Sequence, residues 1–165
     1  MNIILGIDPG LSNTGWAIIE TESNNLKYVA SGTIVTNPKH ASSERLTKIY
    51  EELSKVISQY KPLEFAIEDS FVNNNALSSL KLGQARGASI IAAGINKLQV
   101  FEYAPRLVKK AVVGSGGADK NQVMAMVKLL IPKAQMKNEH EADAIAVAIC
   151  HSNISATQRR MQIQS

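Results

Sequence analysis

The chain alternates between short apolar runs and longer segments in which apolar residues recur every three or four positions. Five of the short runs predict β-strands, at residues 2–8, 14–20, 26–35, 64–69 and 99–104. The first two runs are joined by a turn that contains Pro9 and Gly10, so they predict a hairpin. A polar turn leads into the third run, and the sequence therefore predicts three antiparallel strands at its start.

The segments with helical spacing predict five helices, at residues 42–60, 76–98, 106–113, 121–131 and 138–150. Ser42 or Ser43 is the expected cap of the first helix, and Pro62 ends that helix. Asp119 and Gln122 have the spacing of a capping box at the fourth helix.

The resulting order is βββαβαβααα, which predicts an α/β fold with a mixed five-stranded sheet flanked by helices. The sequence contains no internal repeat and no linker long enough to separate two domains. We therefore expect one domain over residues 1–151, followed by a polar, flexible C-terminal tail over residues 152–165.

Basic residues are concentrated toward the C-terminus. Residues 1–105 contain 9 basic and 10 acidic side chains, whereas residues 106–165 contain 9 and 4, within a net charge of +4. A basic surface near an acidic centre is typical of proteins that bind a polyanion, although a merely solvated basic face gives the same composition.

The single cysteine, Cys150, excludes an intrachain disulfide and favours a reducing compartment. Its apolar surroundings indicate a core residue rather than a nucleophile. The N-terminus has no signal-peptide pattern, and no stretch is long and apolar enough to cross a bilayer. These features predict a cytoplasmic protein with no membrane partner.

Three acidic residues and one histidine stand where these elements would bring them together. Asp8 ends the first strand and Glu68 the fourth, while His140 and Asp143 share one side of the last helix. They converge only if strands one and four are neighbours and the last helix packs across them. Their like charges would then repel unless divalent cations neutralised them, and this donor set suits Mg²⁺ or Mn²⁺. A pair of such ions would hold the attacking and leaving oxygens of a phosphodiester.

Each of these residues also has a plainer interpretation. Asp8 in "DPG" is compatible with a turn, Glu68 with a solvated strand end, and His140 with an exposed first turn. Asp143 precedes the apolar "AIAVAIC", where it either binds a ligand or bonds a neighbouring backbone group. Strand alternation sends Asp69 to the opposite face from Glu68. The combination in this order of elements carries the hypothesis, not any single residue.

Four segments resemble one known family. "GIDPGLSNTGWAII", "AIEDSFV", "KKAVVGSGGADKNQV" and "HEADAIAVAICH" together are similar to the RuvC family of crossover junction endodeoxyribonucleases, from about Asn2 to His151. "GIDPGxxxTG" alone is shared with other ribonuclease H-like proteins, but the four motifs in this order are specific. The resemblance implies an RNase H-like fold, a homodimer, and Mg²⁺-dependent resolution of four-way Holliday junction DNA by paired nicks in recombination and repair.

The resemblance also implies roles for individual residues. The family's catalytic and metal-binding positions fall on Asp8, Glu68, His140 and Asp143. Members carry either aspartate or histidine at the third position, so that ligand is the variable one. Phe71 in "EDSF" matches an aromatic that contacts junction bases, and Lys109 and Lys120 match basic residues near the scissile phosphate. Without the resemblance, Phe71 would be taken as a core residue and Lys120 as a solvated loop residue.

The helix rich in small residues, at 76–97, matches the dimer contact of the family. Gly83, Gly87, Ala88 and Gly94 would permit close approach of a second copy, or equally of the protein's own sheet. A two-fold dimer would supply two symmetric cuts to a roughly two-fold junction. The branch-migration proteins RuvA and RuvB are further partners that the resemblance implies.

Three alternatives remain open at this point. "GIDPGxxxTG" also resembles the phosphate loop of actin-like sugar kinases, but those need two such domains and this chain has room for one. A non-catalytic junction-binding module would be expected to lack one of the acids. The sequence alone distinguishes poorly between a junction nuclease and a nuclease that acts on RNA or on another branched structure.

Overall fold

The computed structural model describes residues 1–22, 25–69 and 74–163, with side chains to Thr157. Ten elements follow one another in the predicted order: β1 (Asn2–Asp8), β2 (Asn13–Glu22), β3 (Asn25–Val35), α1 (Ser42–Tyr60), β4 (Glu64–Glu68), α2 (Ala76–Ile95), β5 (Gln99–Tyr103), α3 (Pro105–Val113), α4 (Lys120–Leu130) and α5 (Glu139–Ile163). The predicted α/β fold with a mixed five-stranded sheet is confirmed.

The five strands form one sheet in the order β3-β2-β1-β4-β5. The first three are antiparallel, whereas β1 pairs in parallel with β4, and β4 in parallel with β5. Gly6 is opposite Ala66 and Ile7 is opposite Ile67, so β1 and β4 end side by side. The condition that strands one and four must be neighbours is therefore met.

Each face of the sheet is covered by its own helices. Leu5 and Ile7 of β1 face a core that includes residues of α1 and α2. Ile4 faces the opposite core, which contains residues of α3, α4 and α5. Because side chains alternate along a strand, Asp8 continues the row of Ile4 and points toward the α5 side.

Two glycines allow α5 to lie very close to the sheet. A Cβ on Gly6 would be 2.3 Å from the carbonyl oxygen of Ala144, and a Cβ on Gly15 would be 2.1 Å from that of His140. Neither distance leaves room for a side chain, so these glycines set the height of α5 above β1 and β2. The helix is buried from Ala144 to Ser152, as expected for a central helix that is apolar on all sides.

Besides shifts of one residue in the bounds of α3, α4 and α5, three features of the helix ends differ from the predictions. Ala41, rather than Ser42 or Ser43, is the N-cap of α1, and it makes no side-chain capping bond. The second helix ends at Ile95 instead of residue 98, because Lys97 adopts a positive φ of 60°. α5 continues to Ile163, since the polar segment after Cys150 contains no proline or glycine that would stop it. The division into a domain ending at residue 151 and a flexible tail stays a prediction.

Two other predicted features are confirmed. Asp119 and Gln122 form the capping box of α4, with each side chain bonded to the other residue's backbone. Cys150 is fully buried in the core, and burial raises the pKa of its thiol to about 12. It is therefore a structural residue and not a nucleophile.

Candidate active site

Asp8 and Glu68 are the last residues of adjacent parallel strands. Asp8 is the final residue of β1 and pairs across the ladder with Gly15 of β2. Glu68 is the final residue of β4 and pairs with Tyr103 of β5. Carboxyl ends of parallel strands meet at one edge of a sheet, and this edge carries both carboxylates.

His140 and Asp143 reach the same edge from the first turn of α5. The His140 Nδ1 lies 3.2 Å from Asp8 Oδ2, across a sequence separation of 132 residues. This contact with a carboxylate raises the pKa of the imidazole. Gly15 lies under the His140 backbone, so the close packing of α5 brings the ring to Asp8.

The carboxylates at this edge disfavour one another's charge. Burial, followed by the negative charges of Asp8 and Asp143, raises the pKa of Glu68 to about 7, although Lys109 and Lys120 act in the opposite direction. The protein itself therefore supplies too little positive charge to keep Glu68 fully ionised at neutral pH.

Asp143 is perturbed in the same direction. Burial raises its pKa to about 6, and the charge of Asp8 adds to the effect. Lys120 lowers the pKa but does not cancel the shift. A site in which two carboxylates resist ionisation is suited to a bound cation, which would favour the charged forms.

The donor chemistry fits a divalent metal ion, but the ligand set is not closed. Carboxylate oxygens with one imidazole nitrogen suit Mg²⁺ or Mn²⁺. Within the described residues, however, no group of three or more His, Cys, Asp or Glu side chains is arranged so that it could hold a metal ion as it stands. The structure thus brings the predicted residues to one edge of the sheet without converging their donor atoms on one point.

Lys109 and Lys120 lie beside the acidic edge. They line a cavity of about 160 Å³ together with Glu68 and Asp143. The Lys120 Nζ is 3.1 Å from Glu139 Oε2, and this bond raises the pKa of the lysine. Two lysines beside the acidic edge are suited to hold a phosphate next to the carboxylates.

Phe71, the predicted base-contacting residue, lies outside the described residues. Asp69, two residues before it, is described and forms an ion pair of 3.2 Å with Arg86 of α2. Arg86 also bonds Glu102 of β5. The predicted separation of Asp69 from Glu68 is consistent with this pairing, because α2 packs on the opposite face of the sheet from α5.

Glu139 and Glu141 are the acidic residues in the first turn of α5, where negative charge favours the helix start. Glu139 proves to be the ion-pair partner of Lys120. Glu141 is 3 % exposed, and its Oε2 accepts a bond of 2.7 Å from Ser31 Oγ of β3. The Asn138 Oδ1 accepts a bond from the Glu141 amide, which is an N-cap interaction that fixes this first turn. The three-residue spacing of Asn138 and Glu141 is typical of such a cap and can be read from the sequence, but nothing in the sequence indicates the bond with Ser31.

The motifs, the fold and the acidic edge agree with one family. The sequence profile of "Crossover junction endodeoxyribonuclease RuvC" matches residues 4–151. The chain belongs to the RuvC family. The resemblance that the four motifs carry is thereby confirmed, and the match favours the nuclease over the sugar-kinase alternative.

Individual RuvC proteins are similar over nearly their whole length. The RuvC of Afipia carboxidovorans is 50% identical over 150 residues, which cover 91% of this chain and 88% of the relative. The RuvC of Rhizobium johnstonii is 46% identical over 159 residues, covering 96% and 94%. A solved structure, T. thermophilus RuvC in complex with Holliday junction substrate, has a TM-score of 0.89 at 28% identity and covers 96% and 97%.

These comparisons confirm the RNase H-like fold and the class of enzyme. The chain is a crossover junction endodeoxyribonuclease, a hydrolase, and nucleases of the RuvC family depend on a metal. In the part of the chain that the structure describes, no helix has the length and apolar character needed to cross a membrane.

Proposed function

We propose that this RuvC-family nuclease binds four-way Holliday junctions and resolves them by paired symmetric nicks in recombination and repair. The observation that supports the proposal is the meeting of Asp8, Glu68 and Asp143 with His140 at one edge of the sheet, beside two lysines. In metal-dependent hydrolysis of a phosphodiester, carboxylates hold the metal ions and basic side chains hold the phosphate beside them.

The metal of this proposal is Mg²⁺, with two ions in each site and Mn²⁺ as a substitute. When bound, the ions would supply positive charge to the attacking and the leaving oxygen of the phosphodiester. The residues that would hold them are Asp8, Glu68, His140 and Asp143. The raised pKa values of Glu68 and Asp143 support this assignment, because each carboxylate would lose its proton more readily beside a cation.

The remaining polar residues of the site orient the substrate. Lys109 and Lys120 would each bind an oxygen of the scissile phosphate, and Glu139 would hold the Lys120 ammonium on the rim of the cavity. His140 is held against Asp8, where its imidazole serves as a metal ligand or as a proton acceptor. Phe71 follows Glu68 by three residues in the sequence and is proposed to stack on a junction base.

The exposed face of α2 supports a two-fold homodimer. A Cβ added at Gly83, Gly87 or Gly94 would have no atom within 4 Å in the chain, so these glycines do not serve packing against the protein's own sheet. The same face carries exposed apolar side chains, namely Leu77, Leu80, Ile91 and Ile95. Ala88, in contrast, packs partly against the chain's own core. A second copy laid on this face would bury the apolar side chains and place two sites symmetrically.

RuvA and RuvB as partners and a cytoplasmic location complete the proposal. The two partners follow from the family resemblance, and the location follows from the single cysteine and the composition.

The proposal is tested by comparing three substrates with one pair of proteins. Wild type and Asp8→Asn are assayed in Mg²⁺ on a synthetic four-way junction, a linear duplex of the same sequence and a structured RNA. Wild type should nick two symmetrically placed strands of the junction, and it should leave the linear duplex and the structured RNA intact. Asp8→Asn should bind the junction with nearly unchanged affinity, because phosphate contacts dominate affinity, but it should not cut. Efficient cleavage by Asp8→Asn, or preference for linear duplex or RNA, would refute the proposal.

A further inference from the structure

A second charged cavity lies at the same end of the sheet as Asp8, but on the face covered by α1 and α2. Its volume is about 310 Å³. Ser12 of the β1–β2 connection, Arg45 of the first turn of α1, and Ser78 and Lys81 of the first turns of α2 line it. None of the residues that line it carries an acidic side chain.

Arg45 is the unusual member of this cavity, because its side chain is buried without a carboxylate. Only 8 % of the residue is exposed. Its Nε donates to Thr36 Oγ1 at 2.9 Å and its Nη2 to Ser12 Oγ at 3.2 Å. Both acceptors are neutral hydroxyls, and Arg45 forms no ion pair with any residue in the described ranges. A buried guanidinium normally has an anionic partner, since desolvating the charge is costly.

Lys81 adds a second positive charge to the same cavity. It is exposed and, like Arg45, takes part in none of the ion pairs formed within the part of the chain that is described. The hydroxyls of Ser12 and Ser78 add polar groups between the two cations. A planar guanidinium with an ammonium and hydroxyls around one small space is the chemistry that recognises a phosphate group.

We propose that this cavity binds a phosphate group. We take the phosphate to be a backbone phosphate of the junction strand, and in this respect the inference rests on the proposed function. The lysines of the active site lie on the α5 side of the sheet, whereas this cavity lies on the α1–α2 side at the same end. A strand that passes over this end of the sheet would therefore be held on both sides of Asp8. Free inorganic phosphate shares the chemistry and is the other source.

The first arm of the test uses inorganic phosphate and the full-length protein without DNA. The Arg45 Nε–Hε resonance and the Ser12 amide are followed by ¹H–¹⁵N NMR as phosphate replaces chloride at constant ionic strength. The resonances should shift saturably in wild type. Lys81→Gln should weaken phosphate affinity about two- to fivefold, the effect expected of one exposed charge. Lys97→Gln is the matched control, because Lys97 is exposed beyond the opposite end of α2, and it should leave the affinity unchanged.

The second arm measures junction affinity over a series of salt concentrations, with Asp8→Asn present in every protein to prevent cleavage. Loss of one phosphate contact should lower the slope of log K against log salt by about 0.9 in Lys81→Gln and leave it unchanged in Lys97→Gln. Arg45→Gln should act in the same direction if it folds, and Lys81→Gln decides the question if it does not.

The two arms separate the possible outcomes. Saturable phosphate binding together with a reduced slope establishes the cavity as an anchor for DNA. Phosphate binding with an unchanged slope establishes the site and makes free phosphate its ligand. No saturable shift and no change of slope overturns the proposal. If wild type fails to bind a junction at all, the proposed function fails, and the first arm still decides whether the cavity binds phosphate.

Discussion

Gly15→Ala should misplace the start of α5 and thereby weaken cleavage more than DNA binding. An alanine Cβ at this position would lie 2.1 Å from the His140 carbonyl oxygen and 2.6 Å from its carbonyl carbon. Ordinary contacts of a Cβ begin near 3.4 Å, so the first turn of α5 must move by about 1 Å. The methyl group cannot rotate away, because the Cβ position is set by the backbone of β2.

The size of the effect follows from that displacement. A shift of about 1 Å in a reacting group is able to reduce a rate about 100-fold. His140 and Asp143 both lie on the turn that moves, while Lys109 and Lys120 lie on other helices. Junction affinity should therefore change only a few-fold. Inserting one methyl group into this packed contact should lower the free energy of unfolding by about 1–3 kcal/mol.

The assay is single-turnover cleavage of a four-way junction well below the melting temperature, with affinity and urea unfolding measured on the same protein. Ile49→Val is the matched control, since it costs about 0.5–1.5 kcal/mol in the core on the other face of the sheet. This control should cut at the wild-type rate. Wild-type cleavage by Gly15→Ala would show that α5 is not positioned by the glycine, and the reasoning would be wrong.

Three further predictions use other parts of the structure. Ile91→Asp, on the exposed face of α2, should convert the dimer to a folded monomer in sedimentation experiments. The control Leu129→Asp, at an exposed position on α4, should stay dimeric, and a dimer that persists in Ile91→Asp contradicts the proposed interface. Metal-free wild type should lose stability from pH 5 to pH 8, because the folded-state pKa values of Glu68 and Asp143, about 7 and about 6, lie above their ordinary values. Glu68 contributes up to about 3 kcal/mol of this loss, so Glu68→Gln should show a smaller slope in which the contribution of Asp143 remains; equal slopes in the two proteins argue against it. Cys150 should react with a thiol reagent only at the rate of unfolding, since burial holds its pKa at about 12, and rapid labelling of the folded protein would show otherwise.

The pattern of the chain predicts the elements well but not all of their ends. Alternation and helical spacing located every strand and helix, because burial on one face leaves a periodic trace. The bounds of α1 were predicted, but its N-cap at Ala41 was missed, since serines that could cap a helix do not always do so. The continuation of α5 past Cys150 was also missed. A polar sequence after a buried helix likewise carries no stop signal unless it contains glycine or proline.

The acidic residues of the site were predicted through their positions at the ends of elements. Asp8 and Glu68 are the last residues of strands that are adjacent in the sheet. The order of elements in the sequence permits this adjacency, but it permits other topologies as well. Contacts between distant residues could not be predicted in the same way. The 3.2 Å contact of His140 with Asp8 and the bond between Ser31 and Glu141 depend on how closely α5 approaches the sheet. That approach is set by Gly6 and Gly15, which in a single sequence look like ordinary strand glycines.

A buried polar group away from the site illustrates the same limit. His151 is 1 % exposed, its Nδ1 lies 2.6 Å from the Tyr103 hydroxyl, and its Nε2 lies 2.9 Å from Glu64 Oε2. The two partners lie on β5 and β4, and the histidine lies on α5. Periodicity places His151 on α5 but says nothing about which polar groups satisfy its ring nitrogens.

The burial of α5 has a consequence for local unfolding near the acidic edge. Residues from Ala144 to Ser152 are enclosed by the sheet and by α3 and α4, and the same helix carries His140 and Asp143 at its start. Segments that exchange or unfold locally are those with few buried contacts. The helix that completes the acidic edge is instead enclosed in one of the two cores beside the sheet. We therefore expect His140 and Asp143 to leave the acidic edge through unfolding of this core rather than through independent fluctuation of a loop.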